Sequence, residues 1–464
     1  MDINALLQSQ DVSSVINTLQ QKEINLTDWA VLLKSYEPTM HEIVHDNVTR
    51  RDKERDGGGI DKASRIHIGL EKLLVSRMVD FMFALPVKRI YTNIDGNETR
   101  QKIADAIESI YRYARINTEN IKRGVNYFAS CEFFTMWYVV EAPNTQYGFN
   151  SKYKIRCKTY SPMNGTRLYP LFDEQDDLVA MSFRYEKTIE NKTITYFETY
   201  TADKRYKWKS DDGSWKEVTN ESIIIGKIPG VYGYRPKPIY DGLSHLRHEI
   251  EYTLSRNSDI IAYNSAPVLK VSGGIQGAEN KGETQRIVRT ENGGDVAYVS
   301  WAQSIEATKY QVEKLLSLFF MQSQMPDISF EKMATLGNIG YDARQTMFMD
   351  AHLRVGEESG AWIEYFEREA NVIKAFLKQA NTEWASEIDN VEIEHVISPF
   401  IQNSEDADIT KYMKACGGKP VMSQLEAIKY LGMTDNAEDT LKQIQTEAEQ
   451  DAATKMSSLF GAGE

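Results

Sequence analysis

A His-Glu-x-x-His string at residues 41–45 is the motif in the sequence with the most obvious capacity for chemistry. On a helix, His41 and His45 would share one face for zinc, with Glu42 beside a metal-bound water. However, Asp46 follows directly, residues 47–56 are too polar for a buried active-site helix, and no third ligand is evident downstream. We therefore favour a structural or capping role for the two histidines and keep a zinc-dependent hydrolase as the alternative.

Three weaker patterns do not predict a site. The glycines at 273–277 lack the full dinucleotide fingerprint, and residues 417–420 have the wrong spacing for a phosphate loop. His245 and His248 lie three apart on a predicted helix, where solvated surface positions are expected. The sequence therefore predicts no catalytic, cofactor-binding or metal-binding residue, and the lack of a phosphate loop argues against a motor ATPase.

Composition favours a folded, acidic protein. The 464 residues are 41% hydrophobic, and 54 basic against 67 acidic residues give a formal net charge of −13. This balance argues against tight wrapping of DNA, although it permits a protein that lets DNA pass without sticking. Three cysteines far apart in sequence form no disulfide framework, and neither a signal peptide nor a membrane-spanning run is apparent. We expect a soluble protein of the reducing cytoplasm that has no membrane partner.

The first half of the chain predicts helices followed by an antiparallel sheet. Residues 41–62 form a charged run that we interpret as a solvated arm. Helices are expected over 66–83 and 100–129, and a buried strand over 133–140. Short strand-like runs separated by turn residues over 150–227 then favour a meandering antiparallel sheet.

The second half predicts three long helices. The first spans about 240–263 and the second about 303–324, and short strands between them form a compact excursion. The third runs from about 342 to 381, with a kink expected near Gly356 and Gly360. The apolar stripes of the first two helices are Leu243, Leu246, Ile250, Leu254 and Ile261, and Ile305, Val312, Leu316 and Phe319. A strand at 391–396 and a helical segment from about 405 complete an α+β chain.

This order of elements resembles the portal proteins of tailed bacteriophages, especially the group typified by phages of Gram-positive hosts. Four segments carry the resemblance: His41-x-Ile43 with the basic run after Arg50, Tyr240 through Asp259 into 266–273, the loop at 328–341, and Gly417 through Glu426. The resemblance also gives the His-Glu-x-x-His string an ordinary explanation, as part of the N-terminal stretch of that family.

The resemblance implies an α+β portal subunit in which successive segments of the chain form different parts. The implied parts are a wing at 1–240, a first stem helix at 241–265, a clip at 266–302, a second stem helix at 303–325, a tunnel loop at 326–341, a long kinked wing helix with a closing strand at 342–402, and an α-helical crown at 403–464. In the tunnel loop, Lys332 and Asn338 are the candidates to touch DNA phosphates.

The resemblance further implies a structural protein with no chemistry of its own. It would form a ring of twelve copies at one capsid vertex of the virion, assembled in the host cytoplasm, through which double-stranded DNA is packaged and later ejected. The implied partners are further copies of the chain, DNA, the terminase large subunit, a head–tail adaptor, and the major capsid and scaffolding proteins. Amphipathic stem helices fit this picture, because neighbours in a ring can cover their apolar faces.

Overall fold

The computed structural model describes most of the chain, in two compact units. The first unit comprises residues 1–328 and 350–400, and the second comprises 329–349 and 401–464. The described residues are 3–9, 11–21, 24–54, 58–264, 268–272, 275–278, 288–290, 295–299, 305–327, 346–400, 405–417, 419–432, 434 and 436–460.

The helices of the first unit fall into short N-terminal ones and long later ones. They are α1 (Ile3–Leu7), α2 (Val12–Leu19), α3 (Trp29–Tyr36), α4 (Glu42–His45), α5 (Leu70–Phe83), α6 (Glu98–Tyr113), α7 (Ile116–Ser130), α8 (Ser244–Asn264), α9 (Ile305–Ser323) and α10 (Met349–Ala380). Short 3-10 helices lie at Pro38–Met40, Pro162–Asn164, Thr382–Trp384 and Ile388–Asn390.

The strands form small antiparallel sheets. They are β1 (Lys53–Glu54), β2 (Ile60–Asp61), β3 (Lys88–Thr92), β4 (Glu132–Asn144), β5 (Ser151–Tyr160), β6 (Arg167–Phe172), β7 (Leu178–Ile189), β8 (Lys192–Tyr200), β9 (Lys204–Ser210), β10 (Lys216–Ser222), β11 (Gly230–Tyr234), β12 (Val268–Ser272), β13 (Ile275–Ala278), β14 (Val288–Thr290), β15 (Asp295–Val299) and β16 (Glu392–Val396).

The predicted antiparallel meander is confirmed. Strands β6 to β10 form one sheet in sequential order, and each pairs antiparallel with the next. A second sheet has the order β11-β4-β5, and further two-stranded sheets pair β1 with β2, β3 with β16, β12 with β15, and β13 with β14. The mixture of such sheets with long helices is an α+β fold.

The predicted helix over 100–129 is wrong in one respect, because it is two helices. Asn97 caps α6 by accepting a hydrogen bond from the Arg100 amide at 3.1 Å. The chain then breaks at Arg115, whose φ of 57° lies in the left-handed region. Neither a glycine nor a proline marks this break in the sequence, so the periodic apolar pattern continues across it.

A buried ion pair joins the long helix α10 to the middle of the first unit. Arg123 on α7 and Glu369 on α10 are both fully buried, with Nη2 and Oε1 2.6 Å apart. The indole Nε1–H of Trp137 on β4 donates to the same Glu369 oxygen at 2.9 Å. Phe133 and Trp362 stack nearby with ring centroids 5.5 Å apart. Three elements thus meet around one satisfied carboxylate.

Helices α8 and α9 begin and end close to their predicted bounds, whereas α10 begins at Met349 instead of about 342, and residues 342–345 lie outside the described residues. Helix α8 has 21 residues and packs against α9, which has 19. Helix α10 has 32 residues and continues through both Gly356 and Gly360. The kink expected at those glycines stays a prediction.

In the second unit, the described residues form the helices α11 (Glu405–Cys416), α12 (Gln424–Leu431) and α13 (Ala437–Phe460). Helix α12 begins with a capping box, in which Ser423 Oγ accepts from the Glu426 amide at 3.2 Å. The Glu426 carboxylate accepts in return from the Ser423 amide at 3.0 Å. Gly432, with φ 64°, ends the helix.

Candidate functional site

The zinc interpretation of residues 41–45 is wrong. Helix α4 is only four residues long, and His41 precedes it with an extended backbone (φ −62°, ψ 148°), so the two histidines do not share a helical face. His41 is completely buried, whereas Glu42 and His45 are exposed. Among the described residues, no three His, Cys, Asp or Glu side chains are placed to hold a metal ion.

His41 instead connects the N-terminal region to α8. Its Nδ1 lies 2.6 Å from Glu251 Oε1, and its Nε2 lies 3.0 Å from the Ser35 carbonyl oxygen. Both ring nitrogens thus already contact oxygen atoms of the protein, so neither faces an open position where a metal ion could bind. The structural role expected for the histidines is confirmed for His41.

Glu251 is the centre of a buried polar network. Besides His41, it accepts hydrogen bonds from the Ile68 amide at 2.9 Å and from Arg247 Nη1 at 2.7 Å. Arg247 Nε in turn donates to Glu71 Oε1 on α5 at 2.7 Å. Burial by itself would raise the pKa of Glu251, but the hydrogen bonds from His41 and the Ile68 amide and the charge of Arg247 hold it below its ordinary value.

Further along α8, the same segment makes a second set of polar contacts. Asp259 pairs with Arg50, which is 7% exposed, and accepts a hydrogen bond from the Ser64 amide at 2.8 Å. Ser255 Oγ accepts from the Ile66 amide at 2.9 Å. The charged run at 41–62 is therefore a solvated arm only in part: residues 51–54 and 58–62 are exposed, as composition indicated, whereas His41 and Arg50 are buried and bind Glu251 and Asp259 of α8.

The residues of α8 that make these contacts are regularly spaced. Arg247, Glu251, Ser255 and Asp259 lie four residues apart, so they form one stripe along the helix. We call this set the polar stripe. The sequence reasoning singled out the apolar stripe and missed this one, although its spacing was visible.

His245 and His248 lie beside the polar stripe, and the sequence predicted surface positions for both. His245 is exposed and His248 is partly exposed. The ring of His248 stacks on Tyr252 with centroids 4.3 Å apart, and its Nδ1 lies 3.5 Å from Glu42 Oε2. The open cleft that these two histidines line with Glu42 and His45 has a volume of about 850 Å³.

The apolar faces of α8 and α9 are covered only in part. Leu243, Leu246 and Ile250 are buried as predicted, but Ile261 is 54% exposed. On α9, Phe319 of the predicted stripe is buried, whereas Tyr310, which lies on another face of the helix, is 68% exposed. The end of α8 nearest β12 and the beginning of α9 thus carry apolar side chains that the subunit by itself leaves in contact with solvent.

The two residues proposed to touch DNA, Lys332 and Asn338, lie outside the described residues, as does most of the loop at 326–341. The glycines at 273 and 274 also lie outside them. None of the helices in the part of the chain that the structure describes is long and apolar enough to span a bilayer.

Comparison with known families gives a decisive match. Residues 25–454 match a family model described as "Phage portal protein, SPP1 Gp6-like". The chain belongs to this family of phage portal proteins. The family is one of structural proteins, not enzymes, and its members are ring assemblies at the capsid vertex of the virion.

A comparison of this portal protein with curated proteins gives no match. Among solved structures, a chain from the neck of an empty GTA particle, computed with C6 symmetry, aligns with 11% identity and a TM-score of 0.41. That alignment covers 90% of this chain and 96% of the other.

Proposed function

We propose that this portal protein forms a ring of twelve copies whose central channel carries double-stranded DNA into the capsid during packaging and out of it at ejection. The single observation that carries the proposal is that apolar side chains of the α8–α9 pair are exposed in the isolated subunit. Helix α8 is fastened to the subunit along its polar stripe and α9 is buried at Phe319, yet both helices keep exposed apolar side chains, namely Ile261 and Tyr310. Packing against the same helices of neighbouring copies would cover them.

The proposed parts follow the order of elements in the chain. Helices α8 and α9 correspond to the two stem helices, strands β12 to β15 to the clip at 266–302, and the second unit to the crown at 403–464. Residues 1–240, together with α10 and β16 within 342–402, form the wing, and residues 326–341 form the tunnel loop. We further propose that the clip docks the terminase large subunit during packaging and a head–tail adaptor afterwards, and that the ring is assembled in the host cytoplasm with capsid and scaffolding proteins.

The acidic balance of the chain supports passage of DNA without retention. The formal net charge is −13 per copy, so the ring offers no net excess of cations to displace counterions from phosphates. Contacts with DNA would then be few and local. Lys332 and Asn338 are the proposed residues, and the first would make the charged contact.

The test is the mass and shape of the assembled protein. Light scattering is expected to give a single closed oligomer, and electron microscopy to give a ring of twelve copies with an axial hole. The double substitution Ile261→Glu with Tyr310→Glu should prevent assembly while the monomer keeps its circular dichroism spectrum. A wild-type chain that stays monomeric under all assembly conditions, or a double variant that assembles normally, would contradict the proposal.

A second test addresses the tunnel loop. In an in vitro packaging reaction, Lys332→Ala and Asn338→Ala rings should assemble normally and package or retain less DNA than wild type. Unchanged packaging and retention would assign these residues to the packing of the loop only.

A further inference from the structure

A groove where β5, β6 and β7 meet is predominantly positively charged. It has a volume of about 690 Å³ and is lined by four cations, Lys158, Arg167, Arg184 and Lys187, and by one carboxylate, Glu186. In the part of the chain that the structure describes, none of the four cations has an ion-pair partner. We call this feature the cationic groove.

Two cations on β9 of the same sheet are neutralised. Lys207 and Arg205 both bind the buried carboxylate of Glu198, at 2.9 Å and 3.0 Å. In a protein of net charge −13, four cations and a single carboxylate around one groove form a local excess of positive charge. It attracts an anionic ligand.

The groove also lies beside an open strand edge. Strand β7 pairs with β6 only as far as Arg184, which lies opposite Arg167. Beyond that point, the residues from Tyr185 to Ile189 pair with β8 alone. One side of this part of β7 is thus available to another strand, since backbone groups at a sheet edge are a template for pairing.

We propose that the cationic groove binds an acidic segment of a partner protein in extended conformation. The segment adds to the open side of β7 and places its carboxylates against Lys158, Arg167, Arg184 and Lys187. Backbone hydrogen bonds supply affinity, and the charge-assisted contacts select acidic sequences. The volume suits a short peptide segment.

The aromatic residues of the groove favour a peptide over a single-stranded nucleic acid. Tyr160 stacks on Phe183 with centroids 4.8 Å apart, and Lys158 Nζ lies 4.7 Å from the Tyr160 ring centre. Tyr185 stacks on Tyr196 with centroids 5.3 Å apart. Non-specific binding of single strands relies on aromatic faces that are free to stack on bases, and these rings already have stacking partners within the protein.

The proposal is tested with the full chain and a fluorescein-labelled ten-residue peptide of alternating Glu and Thr, by fluorescence anisotropy. We expect saturable binding that weakens as salt is raised. The variant Arg167→Glu with Arg184→Glu should bind at least tenfold more weakly. The matched control Arg112→Glu with Lys192→Glu makes the same change of charge at exposed positions outside the groove and should stay within twofold of wild type.

A second probe isolates the strand contact. The same peptide, N-methylated at alternate residues, keeps its charge but loses backbone donors, and it should bind at least tenfold more weakly. If Arg167→Glu with Arg184→Glu lowers the melting temperature, the neutral pair Lys158→Gln with Lys187→Gln replaces it as the deciding variant.

Several results would overturn the proposal. These are the absence of binding to wild type, an equal loss in the control variant, or undiminished binding of the methylated peptide. Binding of labelled oligo-dT or duplex DNA that depends on Arg167 and Arg184, without binding of the acidic peptide, would assign the groove to nucleic acid. The inference does not depend on ring formation, because the same measurements apply to the assembly-deficient Ile261→Glu, Tyr310→Glu chain.

Discussion

Substitution of Glu251 by Ala is the sharpest test of how residues 41–68 are held on α8. The carboxylate accepts hydrogen bonds from His41, the Ile68 amide and Arg247 at 2.6, 2.9 and 2.7 Å. His41 is 0% and Arg247 5% exposed, so water cannot readily replace the lost acceptor at either group. Removing one partner of a buried ionic contact costs about 3–5 kcal/mol. We expect a loss of folding free energy in that range.

The assay combines chemical denaturation of the full chain with hydrogen–deuterium exchange. Denaturation gives the free-energy loss, and exchange shows whether peptides covering residues 58–70 lose protection before the rest of the first unit. The control is Glu249→Ala, two residues away on the exposed side of α8, where a change within about 0.5 kcal/mol is expected. A double-mutant cycle with His41→Ala should give a coupling of about 0.5–3 kcal/mol.

The outcome that refutes this reasoning is equally specific. If Glu251→Ala and Glu249→Ala destabilise the protein equally, the buried network does not hold the segment. If the cycle is additive within about 0.3 kcal/mol, the contact between His41 and Glu251 contributes nothing of its own.

Three further predictions concern the rest of the first unit. Glu369→Gln leaves the fully buried Arg123 without a counter-charge and should cost about 3–5 kcal/mol, measured by denaturation. Gly230→Ala places a Cβ 2.5 Å from the Thr135 carbonyl oxygen and should destabilise the protein by about 1–3 kcal/mol. Gly356→Ala places a Cβ with no atom within 4 Å and should stabilise α10 by up to about 1 kcal/mol. Burial, followed by the charge of Arg89, lowers the pKa of His395 to about 4. In the unfolded chain this histidine has an ordinary pKa of about 6.5, so as pH falls it is protonated there before it is protonated in the folded protein. The free energy of unfolding should therefore fall by about 3 kcal/mol as pH drops from 6.5 to 4. His395→Leu should remove that part of the pH dependence.

The sequence predicted the elements wherever hydrophobic periodicity was the dominant signal. The meander of β6 to β10 and the long helices α8, α9 and α10 follow from alternating or helical spacing of apolar residues. The break at Arg115 was not predictable in this way, since a left-handed residue without glycine leaves no mark on the apolar pattern.

The contact between residues 41–68 and α8 was missed for a different reason. Arg50 and Asp259 are 209 positions apart in sequence, and each is of a type that is usually solvated. Composition therefore placed the charged run in solvent. Only the recurrence of polar residues at every fourth position, at Arg247, Glu251, Ser255 and Asp259, indicated that one face of α8 contacts polar partners.

The polar stripe explains why this contact specifies a single register. If residues 41–68 slipped by one helical turn towards the N-terminus of α8, His41 would lie opposite Arg247, and Arg50 would lie opposite Ser255. His41 would then face a cation instead of a carboxylate, and Arg50 would lose its counter-charge, at a cost of several kcal/mol. An apolar stripe of similar side chains would tolerate such a slip with little loss. The ionic contacts thus contribute less stability than hydrophobic packing could, but they give every copy of the subunit the same orientation of α8, which identical neighbours in a closed ring require.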